Sequence, residues 1–562
     1  MDRRDFLRLV GAAGAVTGAG TLLAACNANP SPSTSASNTT SKPGGTLYVL
    51  DDNSSNHFDP AQSQSLATTT SGLVHRRLTN WDLSGPTATL VADLATDTGK
   101  TSDNGTTWTF TLKDGLAFSD GSPITSADLK WGIERTFDPA FSQGLSYHKT
   151  LLAGGTTYTG PFSGKSLDSI ETPDAKTIVF RLARPYGDWP WIVSLVTLSP
   201  VPQGKGTNAA YDTAPITSGP YQVASYQSGT QATLTRNPHW QKSTDSVRTA
   251  LPDKVIFQLS QDDSVISQRL IADSGNDQSG FGYSFVDPAQ LAQLVNNPSA
   301  KSRLVTSQAG AVEYLALNTQ RGPLANLAVR KAFQYAVNRA SFQVASAGTP
   351  ALAGPVASTL ITPGISGRQA YDLYPTNAAG DPAKAKQLLA QAGFPDGLSG
   401  LTLLVSTSNN GANLAQAVAA SLAQANIKVT IQPQDDDTFI SNVTGNQGNY
   451  DLALTSWQPD FPSANANIQP LYQSSQIGNG GFNLSRYSND EVDAMIADAQ
   501  ATVDPTQAGT KWAAVDKRIM QDAPIVPLIY TRNSFLHGSK VDNVQVPDFP
   551  AYPNYLTLGI SQ

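Results

Sequence analysis

Apolar and polar positions alternate with a period of two in several short runs of the first half of the chain. Residues 46–50, Thr-Leu-Tyr-Val-Leu after Gly44-Gly45, predict a strand. Residues 108–112 predict a second that stops at the Asp114-Gly115 turn, and 177–182 a third. Residues 221–226 and 231–236 predict a hairpin around Ser228-Gly229. Thr125 stands three residues before Asp128, the spacing of a capping box, so a helix is expected through Leu129, Ile133 and Phe137. The second half shifts toward the helical period. After a strand at 312–317, Val329, Ala332, Phe333, Ala336 and Val337 share one face of a helix over 324–337. Asp381-Pro382 opens another helix with a stripe of Ala385, Leu388, Leu389 and Ala392, and Gly393 ends it. A strand at 401–405, a helix over Leu414, Val418 and Leu422, and a strand at 428–432 spell β-α-β, which closes right-handed into a parallel pair. A further strand is expected at 450–454. The pattern predicts a β-rich half followed by an α/β half.

The N-terminal pattern is of another kind. Arg3-Arg4-Asp5-Phe6-Leu7-Arg8 precedes an apolar run from 11 to 25, a length suited to an export signal and short for a membrane span. Leu23-Ala24-Ala25-Cys26 has the form of a lipoprotein cleavage site, with Cys26 as the lipidated residue. The twin arginine marks the address of an exporter that commonly takes folded cargo, the general secretory route being the other possibility. Residues 27–42 are almost entirely Asn, Ser, Thr, Pro and Ala, a composition that cannot bury enough surface to order itself and suits a flexible tether. The expected location is the outer face of a bacterial cell membrane, held by lipid.

Composition narrows the function. The chain is 40% apolar and 14% charged with a net charge of −7, which argues against a nucleic-acid partner. Cys26 is the only cysteine, so the folded body has no disulfide and rests on packed cores. The five histidines, His57, His75, His148, His239 and His537, show no metal-ligand spacing, and no Gly-x-Ser-x-Gly elbow occurs. Gly164-Lys165-Ser166 lacks the upstream glycine of a phosphate loop, and Asp435-Asp436-Asp437 is expected in a solvated loop. No enzyme, metal or cofactor is expected; an exported glycoside hydrolase is the enzymatic alternative.

The order of segments resembles the solute-binding proteins of ABC importers for peptides and nickel, the oligopeptide- and dipeptide-binding group. The resemblance is carried by Gly44-Gly45-Thr46-Leu47, Phe58-Asp59-Pro60-Ala61 and the block from Leu94-Ala95 through Ser102-Asp103-Asn104-Gly105, Trp108-Thr109-Phe110 and Phe118-Ser119-Asp120-Gly121-Ser122-Pro123. It continues in Gly219-Pro220-Tyr221, Arg236-Asn237-Pro238, Leu315-Ala316-Leu317-Asn318-Thr319, Ala336-Val337-Asn338-Arg339, Asp381-Pro382-Ala383-Lys384-Ala385 and Ala523-Pro524-Ile525-Val526-Pro527-Leu528. Each tract alone is weak; in this order they cover the whole chain after the tether.

The resemblance implies an α/β, two-lobed clamp of the periplasmic-binding-protein type (type II) with two hinge crossings, closing around its ligand. Lobe I is expected at 43–311 with an extra β-rich subdomain at about 80–208, lobe II at 312–525, and a return to lobe I at 526–562, with crossings near Val312 and Ile525. The implied ligand is a short extended peptide bound through its main chain. Trp457-Gln458-Pro459-Asp460 matches the family's ligand segment: Asp460 would neutralise the α-ammonium, Trp457 would line the site, and backbone groups of Ser456 and Gln458 would form one strand edge. Ser65 and Leu66 fall at the opposite edge. Two departures stand out: Asp460-Phe461-Pro462-Ser463-Ala464 replaces Asp-Tyr-Pro-Asp-Pro, and Val74-His75-Arg76-Arg77-Leu78 replaces Tyr-Glu-Gly-Leu, which would alter the ligand charge preferred in lobe I. The implied partners are the transmembrane subunits of a permease and separate cytoplasmic ATPases, with the binding protein acting as a monomer. Metal chelates, haem, sugars and opines are the other solute classes of the family.

Overall fold

The computed structural model describes residues 42–561 apart from 86, 142, 287, 295 and 409. The export signal, Cys26 and nearly all of the tether lie outside the described residues. Two five-stranded sheets organise the body. The first contains β1 (Thr46–Leu50), β2 (Tyr221–Gln227), β3 (Gln231–Arg236), β4 (Lys254–Gln258) and β5 (Gly280–Gly282), in the order β5-β1-β4-β3-β2. The second contains β6 (Val312–Leu317), β7 (Leu398–Ser406), β8 (Ile427–Gln434), β9 (Leu452–Trp457) and β10 (Ile525–Tyr530), in the order β8-β7-β9-β6-β10. The predicted hairpin is β2–β3, and the predicted β-α-β unit is the parallel pair β7–β8 joined by the helix Gly411–Gln424.

Local chemistry explains these elements. Thr125 and Asp128 make the full capping box that opens the helix Ser126–Arg135. Asp381 accepts from the Lys384 N–H at 2.9 Å and starts the helix Pro382–Gln391. In β1, Leu47 and Val49 are buried on one face of the alternation. They join Phe257 and Phe281 in a core completed from the far end of the chain by Val541, Tyr555, Leu556, Leu558 and Ile560.

An antiparallel four-stranded sheet, with Lys100–Ser102, Thr107–Thr111, Thr177–Arg181 and Ile170–Glu171 side by side, lies within the span expected for the extra subdomain. Its aromatic interior of Phe110, Phe180 and Trp189 belongs to the same continuous core as Leu315, Phe333 and Phe461 around the second sheet.

Three expectations shift. The crossing near Ile525 falls inside β10, an edge strand of the second sheet. The chain leaves that sheet only after Tyr530, and Ser534–Leu536 then pairs with Leu304–Thr306. The strand expected at 450–454 runs from Leu452 to Trp457, because Asp451 is held by Thr402 and the Tyr450 hydroxyl by the Leu484 carbonyl. The Asp435-Asp436-Asp437 run is the start of the helix Asp436–Thr444, not a loop: Asp435 accepts from the Thr438 N–H at 3.0 Å, and acids suit a helix N-terminus.

Candidate functional site

The site is built at the end of β9. Along its length β9 is flanked by β6, which runs antiparallel to it from Val312–Trp457 to Leu317–Leu452. On its other side β7 pairs only with Leu452, Ala453 and Leu454. Past Leu454, residues 455–457 have no second strand among the described residues, so that edge is open. A strand edge with unpaired amides and carbonyls is a template for an added strand.

Directly after this edge the chain turns through Asp460. The Tyr147 hydroxyl donates to Asp460 Oδ2 at 2.5 Å, and the Tyr147 ring packs edge-on against Phe461 at 5.5 Å. Burial pushes the Asp460 carboxyl above its ordinary value, and the Tyr147 hydrogen bond partly counters that. Trp457 is half-buried; its indole N–H donates to the Ala466 carbonyl at 2.8 Å and its ring leans on Phe482. The indole thus ties the strand end to the helix Ala464–Tyr472. Ser456 is exposed opposite Glu313. The Gln458 carboxamide is buried with neither Oε1 nor Nε2 hydrogen-bonded.

A second set of contacts joins Tyr186 and Asp188 to the same segment. Ser463 caps the helix Ala464–Tyr472 and donates to Asp188 Oδ2 at 2.7 Å. Asn465 donates to the Tyr186 hydroxyl at 2.6 Å and accepts from Gln500 at 3.1 Å. Burial raises the Asp188 carboxyl, with Ser463 and Asn465 opposing. Gly187 lies between them, where a Cβ would stand 2.1 Å from the Thr502 carbonyl oxygen; only glycine lets the backbones approach this closely.

Ser65 and Leu66 lie in a turn and not in a strand. The Ser65 N–H donates to Ser63 Oγ, and the Leu66 carbonyl accepts from both the N–H and the hydroxyl of Thr69. Their turn meets the loop before Tyr147 through Gln64 Nε2 on the Gln143 carbonyl and the Gly144 N–H on the Ala61 carbonyl. The structure thus brings Ser456, Trp457, Gln458 and Asp460 together. Ser65 and Leu66 connect to them only by way of the 143–147 segment. Tyr147, Tyr186 and Asp188 carried no motif that would have singled them out.

Arg76 and Arg77, expected to alter the ligand charge preferred, are instead buried and consumed by partners within the protein. Arg76 donates to Asp93 Oδ1 at 2.7 Å and to the Thr244 carbonyl at 2.8 Å. Arg248 bridges Asp93 and Asp245, each at 3.0 Å. Arg77, fully buried, spends its donors on the carbonyls of Ser194, His75 and Ala67 and on Asn80 Oδ1. Burial, then the nearby Arg248, lowers Arg77 to about 9. Burial works against ionised Asp245, but Arg248 and Arg76 hold it below the usual carboxylate range. Among the described residues no group of three or more potential ligands could hold a metal ion.

Residues 89–479 match the model of the bacterial extracellular solute-binding proteins, family 5, middle region. The glutathione-binding protein GsiB of Salmonella paratyphi A is 27% identical over 453 residues, covering 78% of this chain and 80% of the relative. Among solved structures, clavulanic acid biosynthesis oligopeptide binding protein 2 superposes with a TM-score of 0.86 at 31% identity, covering 93% of this chain and 96% of that one. The periplasmic binding protein DppA from Helicobacter pylori, in complex with the peptide STSA, shares the fold with a TM-score of 0.70 at 21% identity over 93% and 99% of the two chains. The two-lobed α/β body with its open strand edge is therefore that of a peptide-type periplasmic binding protein, and the chain belongs to family 5 of the bacterial extracellular solute-binding proteins, the solute-capturing components of ABC importers.

Proposed function

We propose that this protein captures short peptides outside the cytoplasm and delivers them to an ABC permease driven by separate ATPases. The observation that carries the reading is the open edge of β9 at 455–457 leading directly to Asp460. Main-chain pairing along that edge gives affinity without reading side chains, and Asp460 supplies the one charge that an α-ammonium needs. Tyr147 holds the carboxylate in place for it. The names of the relatives point the same way: glutathione, a murein tripeptide and the peptide STSA are all peptides or peptide-like.

Calorimetry with trialanine and N-acetyl-trialanine, on the parent and on Asp460→Asn, tests the reading. The substitution is expected to weaken the free peptide by about 2–5 kcal/mol, the cost of stranding one side of a buried charge pair. The acetylated peptide should lose far less. Equal losses for both would assign Asp460 to loop support and remove it from ligand recognition.

The same reading places the protein as a monomer on the outer membrane face, anchored through a diacylated Cys26, since a single acyl chain holds only marginally. The support is the lipoprotein-type sequence around Cys26 followed by the tether composition. Cys26→Ser should move the protein from the membrane fraction to the soluble fraction; complete retention would refute the anchor.

A further inference from the structure

Directly opposed residues of an antiparallel pair share a face of the sheet, and faces alternate along each strand. Glu313 stands opposite Ser456, Leu315 opposite Leu454, and Leu317 opposite Leu452. This face is dry toward the middle of the sheet, where Leu315, Leu317 and Leu452 are fully buried. At its end it becomes polar, with half-buried Glu313 beside exposed Ser456. Gln458, one residue past the strand, lies in the same corner. Its Oε1 is 3.5 Å from the position a Cβ would take on Gly310, on the segment that leads into Glu313.

Neither side chain is satisfied within the protein. Both buried amide atoms of Gln458 lack hydrogen bonds, and burial is the only influence on the half-buried Glu313 carboxyl, with no charged or hydrogen-bonding partner acting on it among the described residues. Burial alone raises Glu313 to about 7. Buried polar groups are nearly always paired, because leaving one unpaired costs about 1–3 kcal/mol. In the arginine cluster the charged groups are matched. The Gln458 carboxamide is an exception, and it stands with the half-buried Glu313 where β9 ends at the open edge.

We propose that Glu313, with Gln458 beside it, forms the acidic wall of a side-chain subsite that selects peptides carrying a lysine or arginine. The proposal rests on the peptide reading above and adds the class of peptide. A cationic side chain would compensate the partly desolvated carboxylate, and the Gln458 carboxamide oxygen would accept a further N–H from it. A neutral side chain would leave both groups unpaired, and an acidic one would meet like charge.

The test is calorimetry with trialanine and with tripeptides that place lysine, or glutamate, at the first, second or third position of an otherwise alanine chain. At one position lysine is expected to bind about tenfold or more tighter than alanine, and glutamate more weakly than alanine. In Glu313→Gln the ratio of lysine to alanine affinity at that position should fall toward one. Glu313→Asp, which keeps the charge, should retain part of it. No lysine advantage in the parent, or an undiminished advantage in folded Glu313→Gln, would overturn the subsite while leaving peptide capture intact. Failure of every peptide to bind would bring down the peptide reading itself, and the subsite with it.

Discussion

The cluster of Arg76, Arg77, Arg248, Asp93 and Asp245 and the corner of Glu313, Gln458 and Asp460 both take polar groups out of water, with opposite outcomes. In the first, donors and acceptors are matched down to backbone carbonyls, and every member is at most 2% exposed. In the second, among the described residues, Glu313 and Gln458 find no partner and Asp460 has a single tyrosine hydroxyl. Burial by itself does not distinguish structure from function here. Between these two clusters satisfaction does: the matched groups hold the fold, and under the proposed reading the unmatched ones are left for a ligand.

The sharpest way to break the comparison is to unbalance the matched cluster. Asp93 receives Arg76 on one oxygen and Arg248 on the other, so Asp93→Asn leaves the buried guanidinium groups of Arg76 and Arg248 to share the single carboxylate of Asp245. Denaturant unfolding should show a loss of about 3–5 kcal/mol. A loss below about 1 kcal/mol would mean that the cluster is hydrated in solution and that the contrast is overstated.

Glu313→Gln should act in the other direction. Burial lifts the carboxyl from its ordinary 4.5 to about 7, so the folded state holds its proton more tightly than the unfolded state. The stability this group contributes is present below about pH 4.5 and is lost as pH rises through 7, a change of about 1–3 kcal/mol. Thermal melts at pH 4.5 and pH 8 should therefore show parent and variant alike at the lower pH and the variant more stable at the higher. A variant less stable at pH 8 would reveal a partner for Glu313 and place it with the matched groups.

The smallest effect is expected at Tyr147, whose hydroxyl is the only donor on the Asp460 carboxylate among the described residues. Tyr147→Phe should cost about 0.5–1.5 kcal/mol, the net value of one hydrogen bond. It should also raise the Asp460 carboxyl further, because the one effect countering its burial is gone. Infrared titration of the Asp460 carboxyl would report the shift; an unmoved titration would mean the hydroxyl is elsewhere in solution.

What was legible in the chain beforehand was local. The Thr125–Asp128 capping box, the Asp381-Pro382 helix start and the β7–helix–β8 unit depend on residues a few positions apart, and all three form as the pattern predicted. The Trp457 to Asp460 segment was legible through family resemblance alone. Its neighbours were not, because Tyr147 and Asp460 are separated by 313 positions and no periodicity encodes their meeting. Arg76 and Arg77 misled for a related reason. A charge in sequence near a cleft looks like a ligand contact until its acceptors are known, and the Arg77 acceptors include Ala67 and Ser194, on either side of it in the chain. Glu313 was visible only as a position in a strand; its lack of a partner is a property of everything around it.

The core beneath the first sheet has one more consequence. Val49 and Phe257 pack with Leu556, Leu558 and Ile560, so the first strand of the body is sealed by nearly the last residues. Contacts this distant in sequence form late, after the chain-closure entropy between them has been met. The second sheet can therefore assemble while the first is still open to water, waiting for residues 541–560. Closure of the first sheet is then the step that any export machinery requiring a finished fold would have to await.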